Sequence, residues 1–483
     1  MNPFDSVLIW IVVIALCVAG ILHLLKSRQD RPWGFKDVVK DPSYWEHASK
    51  VSTAADFAAQ KAQTWDDATV DDAVLTYVFH STSSRDAWVE KRILESLETR
   101  THRQVLELLA DTTRYKQWVT PTGKDILPEA PFHRACHLLG DAPPPEAIPL
   151  LAPFMDDENE SIRREAARAL GKTGHTSMVP LLRRALADPD EYVRTAALGG
   201  LQWARTTKSL VPETAAAIFD DVRQIVEKEQ NGSYSADVLF ILDAKRAEEL
   251  FLSPAIFRPD SRILHEALKV LAEAKVSAPR ERLRELIGQL QSKDLEYPKD
   301  YLLGQAARLL GSHRNPEDLK LLETLQQHGA EEVANGASLG ILAWHGIEGF
   351  EERLTKRQEQ GGYTSLTRPQ QHYCSVFMLD AEINNGGLDQ YFVNGSGDQW
   401  RDALEGLKAM NDLNRAGVLE EAAAKFGKDG PSMERRTRQR QLATIARANE
   451  DAFGELQVRY YSSKESIEVT TSRYVLANPE AFL

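Results

Sequence analysis

The sequence predicts an all-α chain: an N-terminal transmembrane helix, an α-solenoid of helical hairpins, and a compact helical domain at the C-terminus. Three observations carry that expectation. Residues 7–25 form an apolar run without one formal charge. Leu139-Gly140 and Pro149-Leu150-Leu151 recur 31 residues later as Leu170-Gly171 and Pro180-Leu181-Leu182. The same offset carries Asp157, Ile162-Arg163, Ala166 and Leu170 onto Asp188, Val193-Arg194, Ala197 and Leu201. A fixed period of this length marks stacked helical hairpins, each too small to bury its own apolar face. After Gly361-Gly362 the echo stops, and a pattern rich in aromatics, asparagines and glycines begins.

Composition sets the outer limits. The 483 residues are 42% apolar and 27% charged, the make-up of a folded protein. A net charge of −13 argues against general attraction to nucleic acid, and no nucleic-acid partner is expected. Cys17, Cys136 and Cys374 stand far apart and offer neither a disulfide framework nor a CxxC knuckle, which fits a reducing compartment.

Residues 1–6 are a short N-terminal stub. The run at 7–25 has only His23 as a strongly polar side chain. At 1.5 Å of rise per residue it spans about 28 Å, close to the ~30 Å hydrocarbon core of a bilayer. A cleaved leader would want a basic residue before the run and a small-residue exit after it. Here the stub holds Asp5 and no Lys or Arg, and the exit reads His23-Leu24-Leu25-Lys26. Leu16 is too large for the residue expected before a lipid-bearing Cys17. Lys26, Arg28, Arg31, Lys36 and Lys40 follow the span, so the positive-inside rule puts the stub outside and the bulk of the chain in the cytoplasm. Residues 26–70 read as a juxtamembrane tether, with Trp33, Phe35, Tyr44 and Trp45 suited to the headgroup zone. A short cap packed on the solenoid reads equally well.

Residues 71–355 carry the hairpins. In the best-preserved unit Ala147, Ile148 and Leu151 give one apolar stripe, and Asp156, Asp157 and Asn159 supply turn and capping chemistry. Ile162, Ala166, Ala167 and Leu170 give the second stripe, ended by Gly171 and Gly174. Small Ala166 and Ala167 predict close helix approach. Leu302, Ala306, Ala307, Leu310 and Gly311 repeat the plan, echoed 31 residues on by Val333, Ala337 and Ile341. Ile263, Ala267 and Leu271 are a weaker copy, while 231–236 and 254–262 read as loops interrupting the stack. Arg163 and Arg194 stand where a guanidinium reaches an acid or carbonyl of a neighbouring repeat. This plan resembles HEAT-like repeats, in particular the short variety named after phycobilisome lyase subunits, most clearly over 131–204 and 302–345.

No catalytic motif emerges from the array. Some HEAT-like proteins hold two irons between repeated His-Glu pairs, but here the single such pair is His265-Glu266. His133 and His137 stand four apart around Cys136, which puts both imidazoles on one helix face. The spacing lacks the glutamate of HExxH and any evident further ligand, so no metal site is expected. His175, His313 and His345 read as turn or partly buried histidines. No cofactor is expected.

Residues 362–483 form the C-terminal domain. Tyr373, Val376, Phe377 and Asp380 predict a helix that buries its aromatic side. Asn384-Asn385-Gly386-Gly387 should end it, because Asn and Gly tolerate the left-handed backbone of a C-cap. Leu388, Tyr391 and Phe392 restart an apolar face, Asn394-Gly395-Ser396-Gly397-Asp398 breaks it again with Asp398 placed to cap, and Trp400, Leu404 and Leu407 make the next buried stripe. Glu382, Asn384-Asn385-Gly386-Gly387, Gln390-Tyr391-Phe392, Asn394 and Ser396-Gly397 closely resemble the signature of the DMP19-like family. Tyr460-Tyr461, Tyr474 and 478–482 resemble its C-terminal part. The resemblance implies an all-helical domain, mostly bacterial ownership and a protein-binding role. In the founding member an acidic surface imitates DNA phosphates.

That mimicry does not transfer directly. Residues 356–483 hold 18 Asp and Glu against 16 Lys and Arg, too near neutrality for a dense negative field. Arg435, Arg436, Arg438 and Arg440 read as a solvated helix face, with attraction to anionic lipid or an acidic partner as the alternative. The candidate partner or polar-pocket residues are Glu382, Asn384, Asn385, Gly386, Gly387, Gln390, Tyr391 and Asn394. Glu382, Asn385, Gln390 and Asn394 are expected to converge on the Gly-Gly break, as a pocket or, preferably, as side chains satisfying backbone groups that the break exposes.

The sequence therefore reads as a single-pass protein of the bacterial inner membrane whose cytoplasmic bulk is a scaffold for protein partners, with self-association left open. Two other classes remain. One is a sequestering regulator or immunity-type inhibitor of a DNA-binding protein or toxin. The other is an enzyme using Glu382, which needs a raised carboxyl pKa in a concave site.

Overall fold

The computed structural model describes residues 59–60, 62–80, 84–112, 130–228, 232–290, 295–449, 451–463 and 465–483. Among these every regular element is helical and no strand occurs. No helix of the described residues is long and apolar enough to cross a membrane. The span expected at 7–25, its N-terminal stub and most of the tether lie outside the described residues. The last residues of the tether segment are already helical.

The chain divides into two compact units, one up to Ala247 and one from Glu248. The first holds α1 (Asp67–His80), α2 (Ser84–Glu95), α3 (Thr99–Ala110) and α4 (Ala130–Leu138). Then come α5 (Ala147–Leu151), which runs into a short 3₁₀ turn, α6 (Glu160–Thr173), α7 (Val179–Leu186), α8 (Glu191–Thr206), α9 (Pro212–Glu227) and α10 (Gly232–Leu242). Helix α11 (Ala244–Phe251) begins at its end. The helix from Gly232 replaces most of the loop expected at 231–236, whereas 254–262 is irregular as expected.

The 31-residue echo is the stacking of α6 on α8. Asn159 caps α6 by accepting from Ser161 N–H, and Asp190 caps α8 by accepting from Tyr192 and Val193 N–H. Ala166, Ala167, Leu170, Val193, Ala197 and Leu201 are buried without measurable exposure. Truncating a leucine at such a site costs about 2–5 kcal/mol. Gly171 does not end α6 as expected. It lies inside the helix, where an added Cβ would stand 2.8 Å from the Ala197 carbonyl and 2.9 Å from Gly200 Cα. The helices touch through bare backbone, and Gly174, at φ +64°, supplies the left-handed C-cap. Arg163 behaves as expected: Nε and Nη2 donate to the Asp188 carboxylate at 2.9 and 3.2 Å, and Nη1 donates to Asp157 O at 2.8 Å. Arg194 repeats the last contact on Asp188 O at 2.7 Å.

The second unit starts with α12 (Leu264–Glu273), α13 (Arg280–Leu290), α14 (Lys299–Gly311), α15 (Pro316–Leu325) and α16 (Glu331–Trp344). Helices α14 and α16 meet backbone to backbone, Gly304 against Gly336 and Gly311 against Gly340. Asp318 is fully buried and receives Arg280 at 2.8 and 3.0 Å, with Arg284 closing on the same carboxylate. Helix α17 (Phe350–Gly361) then leads into α18 (Arg368–Val393), α19 (Trp400–Ala409), α20 (Leu413–Ala424), α21 (Arg435–Ala448), α22 (Gly454–Tyr461), α23 (Ile467–Ala477) and α24 (Pro479–Phe482). Leu342, Ile347, Phe350 and Leu354 share one apolar cluster with Leu366, Tyr373, Val475 and Phe482. Within this unit the last hairpin and the C-terminal segment are thus one folded body.

Candidate functional site

Helix α18 is two helices joined at a break. Gly386 and Gly387 leave helical geometry, and Gly387 takes φ +82°, a conformation that L side chains rarely adopt. A Cβ on Gly386 would collide with the Gln390 amide, and one on Gly387 with that of Gln457. The break turns the second half of α18 so that its side chains fold back toward Glu382. The carboxylate there accepts from Gln390 Nε2 at 3.0 Å, Asn394 Nδ2 at 2.8 Å and Ser396 Oγ at 2.8 Å.

Two arginines of α21 hold the loop that follows. Arg438 is fully buried and donates from Nε to Phe392 O, from Nη1 to Ser432 O, and from Nη2 to Asn394 O and Asp398 Oδ1, each at 2.7 Å. Arg435 Nε adds a bond to Val393 O at 3.0 Å. The guanidinium needs Gly397, since a Cβ there would lie 2.8 Å from Arg438 Nε. This overturns the solvated-face reading for Arg438. Asp398, expected to cap α19, instead pairs with Arg438, and no side chain caps that helix. The run of four arginines looked uniform in sequence; only packing singles one out.

The expected site residues separate into three groups. Glu382, Gln390 and Asn394 converge, joined by Ser396. Asn384 turns to the opposite side and donates to Asp380 Oδ2 at 2.8 Å, while Asn385 is exposed. Tyr391 is fully buried in the core with Val376, Leu379, Leu388, Phe392 and Leu407, so it cannot meet a partner. Phe377 departs from expectation in the other direction: Tyr373 and Val376 are buried, but Phe377 is 49% exposed and Met378 beside it 45%. Burial pushes the Glu382 carboxyl up, yet the bonds from Asn394, Gln390 and Ser396 and the charge of Arg435 outweigh it and hold it below its usual range. A general acid would need the reverse.

Two concavities open within the second unit. A polar cleft of about 610 Å³ is lined by Asp380, Asn384, Arg415, Tyr460, Glu465 and Glu468 together with 326–331 from the last hairpin. Tyr460 donates to Asp380 at 3.0 Å, and burial raises the Asp380 carboxyl above its ordinary value. Sequence reasoning missed the partnership because Tyr460 stands 80 residues away. The second is an apolar groove of about 400 Å³ lined by Leu354, Tyr363, Tyr373, Cys374, Phe377 and Met378.

A family model of HEAT repeats matches residues 132–202. A family model described as DMP19-like protein matches residues 364–478. The two resemblances read from the sequence are therefore upheld. No curated protein matches the chain.

Within the DMP19-like domain the Glu382 carboxylate already accepts three bonds, tying the first half of α18 to its second half and to the loop after it. The expected bonds to backbone groups at the break are replaced by bonds between side chains, from Gln390, Asn394 and Ser396 onto the Glu382 carboxylate, and Asn385 stands apart from them. In the HEAT-repeat region one group was not foreseen. His133 and His137 of α4 meet Glu165 of α6, with one ligating atom from each lying within 4.8 Å of the others. Where the sequence offers no evident further donor, helix packing brings one possible donor from 28 positions past His137. His133 Nδ1 stands 3.2 Å from Glu165 Oε2, and the two imidazole centroids are 4.0 Å apart. Burial raises Glu165, but the bond from His133 and the charges of His133 and Arg168 bring it down to about 2. Burial, His133 and Lys91 push His137 down to about 4. Of the other histidines, His175 accepts in a turn and His313 meets Ala278 O at 2.8 Å, as expected.

Proposed function

We propose that this protein is a membrane-anchored, cytoplasmic scaffold that presents HEAT-like repeats and a DMP19-like domain to protein partners. The observation that carries the reading is the pairing of a repeat array with exposed apolar side chains. Phe377 and Met378 stand open beside the groove at Tyr363, Tyr373 and Cys374, and aromatic and methionine side chains are enriched at interfaces. Repeat arrays hold macromolecules through extended surfaces, without chemistry. In this reading the Glu382 cluster is structural, and the bilayer supplies location through residues 7–25.

The test is crosslinking and affinity capture of the full-length chain from membranes, with Phe377→Asp/Met378→Asp beside the wild type. Reproducible partners that the double variant loses support the reading, whereas no partner in either sample removes it. Recovery of the chain in the soluble fraction after lysis would remove the anchor alone.

A sequestering role stays as a second reading because the DMP19-like match favours it. It requires binding that collapses as salt rises. Salt-insensitive capture decides for the scaffold.

A further inference from the structure

We propose that His133, His137 and Glu165 form a binding site for a divalent transition-metal ion, with zinc the best fit. The site rests on the fold of the first unit and is independent of the scaffold reading. Two imidazoles come from successive turns of α4, and the carboxylate comes from α6 packed against it. With metal–ligand bonds of about 2.0–2.2 Å, neighbouring donors of a tetrahedral site stand roughly 3.4 Å apart. The separation of His133 Nδ1 and Glu165 Oε2, 3.2 Å, already has that size. The third donor lies within 4.8 Å, a gap that ring rotation closes.

The surroundings define the kind of ion. Glu165 is almost fully buried, and its carboxylate is oriented from behind by Arg168, whose Nη1 stands 2.7 Å from Oε1 and 2.9 Å from Oε2. Arg164 Nε lies 3.6 Å from Oε1. Metal ligation through Oε2 leaves Oε1 with the arginines, the outer-shell support that ligating carboxylates ordinarily have. The nearby cations, including Lys91 and Lys172, disfavour a hard ion held by charge alone. They leave an ion held by coordinate bonds to imidazole, which excludes Mg²⁺ and Ca²⁺ in favour of Zn²⁺, Co²⁺ or Ni²⁺. Three protein donors leave a fourth position, and half-exposed His133 puts it at the surface. The bound ion would clamp α4 to α6.

The experiment is a Co²⁺ titration of the untagged full-length chain, read by visible absorption, followed by displacement with Zn²⁺. The expected result is one tight site with tetrahedral Co²⁺ bands that Zn²⁺ bleaches and Mg²⁺ does not. His133→Gln, a half-exposed position that leaves the Glu165–Arg168 pair in place, should weaken binding by roughly 10–100-fold. His137→Gln should do the same, and at equal concentration Zn²⁺ should raise the melting temperature of the wild type more than that of either variant. Absence of the bands, or equal binding and equal thermal shift in wild type and both variants, overturns the site.

Discussion

The HEAT repeats of the first unit and the DMP19-like domain use the same two residue types, glycine and arginine, for opposite ends. Between α6 and α8 glycine removes a side chain so that two helices can touch, and the backbone stays helical. At Gly386-Gly387 glycine ends helical geometry and turns the chain. Arg163 and Arg194 grip acids and carbonyls of the flanking turns, partly buried, one in each of two successive repeats. Arg438 is sealed from solvent and reaches carbonyls 44 and 46 residues away. A contact repeated in two neighbouring repeats shares its energy between them; a single buried keystone concentrates it.

Mutations should separate the two designs, and the largest effect is expected at the keystone. Arg438→Met leaves three carbonyls and Asp398 without their donor, and breaking a buried charge network of this kind costs about 3–5 kcal/mol. Arg438→Lys should not restore it, because one ammonium cannot span the fork. Urea unfolding followed by the DMP19-like domain's tryptophan signal measures both. Gly311→Ala comes next, since the added methyl would overlap the Gly340 carbonyl, and overpacking costs about 1–3 kcal/mol. The same change at Gly199, which has open space around it, should be neutral or slightly stabilising.

Glu382→Ala removes the acceptor of three donors and should cost about 1–2 kcal/mol without altering partner capture, provided the cluster is a brace. Lost capture with unchanged stability would make it a recognition site. Arg163→Met should cost about 1–2 kcal/mol, because the buried Asp188 carboxylate loses its guanidinium but keeps the bond from the Asp190 N–H. The smallest effect is one of pH. The raised Asp380 carboxyl is faced by Tyr460, Arg415, Asn384 and Asp412, with Glu468 near by. Its folded form prefers the proton, so its contribution is fully present below pH about 4 and is lost as pH rises through the raised value. Asp380→Asn should flatten that fall in a stability-against-pH profile.

The periodic part of the molecule was the more legible. Offsets of 31 residues, capping residues and apolar stripes are local, so α6, α8, α14 and α16 and the Arg163 ladder could be foreseen. In the DMP19-like domain the break could also be foreseen, and so could the meeting of Glu382, Gln390 and Asn394, which lie within thirteen positions, but neither the exposure of Asn385 nor the bond from Ser396 could. Phe377, Asp398 and Arg438 could not. Whether a side chain on an amphipathic helix is covered depends on which distant element lands there, and no spacing rule encodes it. Glu165 joining the two histidines is the same case.

Local chemistry alone was enough to dictate helices, their caps and breaks, the stacking period, and an uncharged apolar run at 7–25. Long-range packing chose which arginine is buried, which aromatic stays open, which carboxyl binds its proton more tightly and which side chains could share an ion. The reason is that backbone propensity and periodicity act over a few residues, whereas desolvation and coordination act at whatever separation folding closes.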